Sequence, residues 1–74
     1  MMPNRRPKKH SLTLRGHRTS VSLEDEFWTA FCKIAAIQNK AINVLAAEID
    51  TDRGVDLGLA SAIRLFVLKF YQKV

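Results

Sequence analysis

The junction at residues 18–28 constrains this chain more than any other stretch. Arg18, Ser20 and Ser22 alternate with Thr19, Val21 and Leu23, which predicts a strand with one wet face and one core face. Glu24-Asp25-Glu26 follows at once, three carboxylates where a helix N-terminus favours negative charge. Ser22 is placed to cap that helix. A strand that enters a helix without a loop cannot stand alone. Its unpaired backbone groups need a partner, and the nearest source is a second copy of the same chain.

Size points the same way. A 74-residue chain buries too little apolar surface to be comfortably stable as a monomer without disulfides, metal or oligomerisation. The single cysteine, Cys32, excludes an internal disulfide, and no Cys/His cluster offers a zinc site. Oligomerisation remains. The basic N-terminus has no secretory apolar region behind it, and no apolar run approaches the length of a membrane span. These features predict a cytoplasmic, reducing environment without membrane attachment or cofactor.

Charge is concentrated at one end. Residues 1–18 hold Arg5, Arg6, Lys8, Lys9, Arg15 and Arg18 without an acid, whereas the remainder is close to balanced within a total of +5. Such a field predicts polyanion binding, doubled in a dimer. A merely solubilising tail is the plainer alternative. Residues 1–9, with two prolines and four basic residues, have nothing to bury and read as a disordered basic arm. Residues 10–74 then form one domain.

Two arrangements are open for residues 10–23. Gly16-His17 has the Gly-X form of a type II′ turn. A hairpin folded there pairs Leu14 with Thr19 and Leu12 with Val21, with Thr13, Arg15, Arg18 and Ser20 on the opposite face. Alternatively residues 12–15 form an extended arm, and only residues 18–23 pair, with their symmetry mates. The self-consistent faces favour the hairpin.

Three helices follow. Phe27, Phe31, Ile34 and Ala35 form one stripe from Glu24 to about Gln38. Asn39-Lys40 breaks it with a residue suited to left-handed backbone. The second helix spans Ala41 to about Asp50 and buries Ile42, Leu45, Ala46 and Ile49. Residues 51–55 read as a loop, and Asp56 as the cap of a third helix from Leu57 to about Gln72. On that helix Leu65 and Leu68 fall on the polar side, a pattern that marks a second contact surface or two exposed leucines. The fold class is mainly α with a short β-ribbon.

The residues carry a resemblance. Gly-His-Arg-Thr-Ser-Val-Ser-Leu-Glu-Asp-Glu-Phe-Trp at 16–28, Leu-Ala-Ala-Glu-Ile-Asp at 45–50 and Ala-Ser-Ala-Ile-Arg-Leu-Phe-Val-Leu at 60–68 resemble the ribbon-helix-helix family, specifically a small bacterial subgroup. The resemblance implies a homodimer whose paired strands, of which Val21 and Leu23 form the buried face, enter the DNA major groove. It implies base contacts from Arg18, Ser20 and Ser22, and a phosphate held by backbone N–H groups of Ala41, Ile42 and Asn43. Ala41 departs from the family's usual Ser or Thr cap, and Lys40 is the substitute phosphate ligand. Arg5, Arg6, Lys8, Lys9 and Arg15 are further phosphate contacts. A hairpin raises a conflict: a four-stranded sheet would not seat flat in a groove about 12 Å wide.

The implied function is a transcriptional regulator that binds double-stranded DNA as a homodimer. The alternative is an adaptor or antitoxin-like module that binds a second protein through Leu65 and Leu68. An enzyme is the least favoured reading, since His10 and His17 have no Cys, Asp or Glu beside them in sequence to orient a base. Cys32 reads as a small buried hydrophobe, and Phe27 and Trp28 as core.

Overall fold

The computed structural model describes residues 6–73. It contains strand β1 (Lys8–Leu14), strand β2 (His17–Leu23) and helices α1 (Asp25–Ile37), α2 (Ile42–Asp52) and α3 (Leu59–Gln72). The chain forms the hairpin. The register differs from the expected one: Leu14 faces His17, Leu12 faces Thr19, His10 faces Val21 and Lys8 faces Leu23. The connection is Arg15-Gly16, with φ of 51° and 83°, the type I′ signature rather than a II′ turn at Gly16-His17. The register has slipped by two residues, and a two-residue slip returns every side chain to its expected face. Leu12, Leu14, Val21 and Leu23 therefore still point inward. Arg15 moves into the turn.

β1 begins at Lys8, inside the stretch expected to be disordered. Lys8 and Lys9 belong to the strand, opposite Leu23 and Ser22. The core gathers Leu12, Val21 and Leu23 from the hairpin, Phe31, Ile34 and Ala35 from α1, Leu45, Ala46 and Ile49 from α2, and Ala62, Ile63 and Val67 from α3. Val21 and Leu23, expected at an interface between copies, are 4% and 0% exposed within the single chain. The extra strand and the third helix supply the cover that a single ribbon strand lacks.

The helix ends also differ. Ser22 stays in the strand, and Glu24 is the N-cap of α1 without a side-chain cap bond. Asn39, at φ 57°, takes the left-handed position after α1, as its residue type favours. α2 continues through Thr51 and Asp52 because Thr51 Oγ1 donates to the Ala47 carbonyl one turn back, at 3.0 Å. This keeps the hydroxyl satisfied inside the helix. α3 starts two residues later than expected, with Gly58 and not Asp56 at the cap. Arg53 holds the intervening loop: its Nε donates to Asp50 Oδ1 at 2.7 Å and its Nη1 to the Leu57 carbonyl at 2.6 Å.

One contact joins the strand–helix junction to α3. Arg64 donates Nε to Glu24 Oε1 at 2.9 Å and Nη2 to Oε2 at 3.1 Å, a fork on a carboxylate. The same guanidinium lies 5.9 Å from the Phe27 ring centroid. The backbone N–H of Glu24 and the Arg64 guanidinium together hold the Glu24 carboxyl below its ordinary range, against a smaller opposing effect of desolvation.

Candidate nucleic-acid interface

The hairpin has two edges, and one hydrogen bond shows how each is used. The Thr13 backbone N–H donates to Asn43 Oδ1 at the start of α2, at 3.0 Å, so it points away from β2. In an antiparallel ladder both members of such a pair turn their N–H and C=O outward. Arg18, opposite Thr13, therefore offers its backbone groups to the far edge of β2, and by alternation so do Ser20 and Ser22. The Ser22 carbonyl accepts a bond from Arg64 Nη2 at 3.4 Å, in agreement with that direction. No strand covers this edge among the described residues.

The outward face of the sheet carries Arg18, Ser20 and Ser22 on β2. On β1 it carries their cross-strand partners Thr13, Ser11 and Lys9. All six are exposed and none is acidic. Neither the Arg18 guanidinium nor the Lys9 ammonium has an ion-pair or hydrogen-bond partner among the described residues. An unpaired cation on an acid-free sheet face keeps its full attraction for an anion. Arg18 presents a fork that matches guanine O6 and N7, and the serine hydroxyls donate or accept.

The other expected phosphate ligands are dispersed. Arg5 lies outside the described residues. Arg6 is exposed and makes a contact within the chain. Lys8 forms an ion pair with Asp25 at 3.2 Å. Arg15 is turned onto α2, where its guanidinium bonds Thr51 Oγ1 and, at 3.4 Å, the Ala47 carbonyl. It joins the turn to α2 and is not presented with the sheet face. Lys40 is held by Glu48 at 2.7 Å, which leaves it a poor substitute for the missing cap. Ala41 is the N-cap of α2 without a side-chain bond. The N–H groups of Ile42 and Asn43 are first-turn donors with no carbonyl a turn behind them, and the Asn43 side chain is committed to β1.

Two residues escaped the sequence reading. His10, for which the sequence offered no partner, stacks on Trp28 with ring centroids 3.9 Å apart and planes 6° from parallel. Its Nε2 is enclosed without a partner. The inward parity of His10, shared with Leu12, was the available signal. Asn43 was expected to act through its backbone, and its side chain is what completes the edge of β1. Cys32 is half-buried, and burial pushes its thiol up, away from thiolate chemistry.

Leu65 and Leu68 lie exposed on the outer side of α3, at 43% and 50%. No group of three His, Cys, Asp or Glu suited to a metal occurs among the described residues. None of the described helices is long and apolar enough to cross a membrane.

No curated protein and no solved structure matches the chain. A family model described as a ribbon-helix-helix domain matches residues 7–71. That span takes in the hairpin, the loop-free passage into α1, and α2 together with nearly all of α3. The chain thus belongs to the ribbon-helix-helix family, whose members are typically dimeric DNA-binding transcription regulators.

Proposed function

We propose that the protein is a homodimeric, cytoplasmic transcriptional regulator that reads the DNA major groove with β2. The observation that carries this reading is the open edge of β2, on which Arg18 stands exposed and unpaired beside Ser20 and Ser22. Pairing β2 with β2 of a second copy satisfies the edge groups of residues 18 and 20 and the N–H of Ser22, whose carbonyl already accepts from Arg64. A register centred on Ser20 uses all three. It also sets two Arg18 side chains symmetrically about the dyad, as a palindromic site requires. The first-turn N–H groups of α2 flank the sheet and favour a phosphate.

The test is Arg18→Ala, measured on duplexes selected by the wild-type protein from a random library and on unselected duplex. A bidentate arginine–guanine pair contributes roughly 1–3 kcal/mol of discrimination. The variant should lose that preference for selected sites while it binds unselected duplex nearly as before. Equal loss on both would make Arg18 a phosphate contact. Failure of the wild type to bind or select any duplex would overturn the reading.

The exposed pair Leu65 and Leu68 favours a second reading, an adaptor or antitoxin-like module that binds another protein through α3. In that case Leu65→Asp with Leu68→Asp would abolish function in the cell while DNA affinity stayed unchanged.

A further inference from the structure

We infer that β1 is a second DNA-contact element, whose Lys9, Ser11 and Thr13 side chains bind the phosphate backbones along the two rims of the groove. This inference rests on the β2 dimer proposed above and adds a binding surface to it. Three observations lead there. First, Lys9, Ser11 and Thr13 are the cross-strand partners of Ser22, Ser20 and Arg18, so they face the same side as the base-reading residues. Second, all three are exposed and all are hydrogen-bond donors, with no carboxylate among them. Third, Lys8, of opposite parity, is spent on Asp25, whereas the Lys9 ammonium has no partner among the described residues.

The spacing decides what these donors meet. Strands lie about 4.8 Å apart, so in the order β1–β2–β2–β1 each outer strand sits about 7 Å from the dyad. Half the width of the major groove is about 6 Å. β1 is thus too far out to reach the groove floor and stands over its walls, where the phosphates are. The twist of roughly 20° between neighbouring strands tilts the outer pair relative to the inner pair, which lets the centre of the sheet descend while its margins rest on the backbone. The four-stranded sheet then does not compete with groove entry. Its inner strands read and its outer strands hold.

Lys9→Gln in the full chain tests this, with fluorescence anisotropy on an unselected duplex of about two helical turns, titrated from 50 to 200 mM salt. Each phosphate contact adds about 0.9 to the slope of log K against log salt, so losing one lysine per protomer should lower the slope by about 1.8. The affinity gap between wild type and variant should therefore narrow roughly twelvefold across that salt range. Lys9→Arg should restore the wild-type slope. Ser11→Glu, which sets a carboxylate over each rim, should remove binding to every sequence alike. Circular dichroism and sedimentation should show both variants folded and in the wild-type state of association, because both sites are exposed. A wild-type slope in Lys9→Gln, or intact binding in Ser11→Glu, would overturn the role of β1 while leaving the β2 reading in place. A wild type that binds no duplex would overturn both.

Discussion

Ser20→Pro separates folding of the chain from association of two chains. The N–H of Ser20 points to the open edge of β2 and serves no bond to β1, by the alternation that the Thr13–Asn43 bond establishes. Proline there removes a donor that the hairpin does not use, and edge positions of this kind are where strands tolerate proline. In the proposed dimer the same N–H bonds the Ser20 carbonyl of the second copy across the dyad, and the reciprocal bond is lost with it. Two bonds at about 0.5–1.5 kcal/mol each amount to roughly 1–3 kcal/mol. At 1.4 kcal/mol per decade, the dimer should dissociate about 5- to 150-fold more readily. Sedimentation across a concentration series measures that shift, while far-ultraviolet circular dichroism should show the helices retained. A dimer of undiminished affinity would mean that copies do not associate through β2. Collapse of the helical signal at concentrations where the wild type is monomeric would mean that the Ser20 N–H belongs to the hairpin, contrary to the assigned alternation.

Phe31, fully buried at the centre of the core, should cost about 3–5 kcal/mol when cut to alanine, read as a lower denaturation midpoint with an unchanged slope. Glu24 gives a pH signature. Its folded pKa lies below the unfolded value, so its contribution is present above the unfolded pKa and is lost as pH falls through the folded one. Acid titration of the wild type below about pH 4.5 should therefore show a loss of stability that is weaker in Glu24→Gln, and an identical acid limb in both would remove Glu24 from the account.

The sequence was most legible where one physical rule acted alone. Alternation at residues 18–23 placed those side chains of β2 on their correct faces, and the stripe from Phe27 to Ala35 placed α1. Asn39 announced its own left-handed backbone. Legibility failed where two local solutions were nearly equal and a distant contact favoured one. Gly16 suits the first position of one turn type and the second of another. The turn that formed is the one in which the Arg15 guanidinium reaches Thr51 and Ala47, more than thirty residues away. Likewise Thr51 reads as a loop residue until its hydroxyl finds the Ala47 carbonyl, and Asp56 reads as a cap until Arg53 fastens the loop past it. At the candidate site, the exposure of Arg18 followed from parity alone. The diversion of Lys8, Arg15 and Lys40 into bonds with α1 and α2 did not, because each partner is set by how the elements pack.

The amide of Asn43 has a consequence for how many molecules can join. A β-sheet with two bare margins is a template at both ends, and each added copy exposes another, so that growth has no natural stop. In this chain the outer margin of β1 is closed at Thr13 by the Asn43 side chain, and at its other end it carries the Lys9 ammonium, a charge that discourages a further strand. Among the described residues the margin of β2 is the more receptive, and the proposed two-fold pairing would consume it in both molecules at once. In the proposed dimer the sheet would thereby end at four strands. Asn43→Ala would reopen the Thr13 N–H at that margin, and in the proposed dimer it should favour addition of further copies, read as larger species in sedimentation.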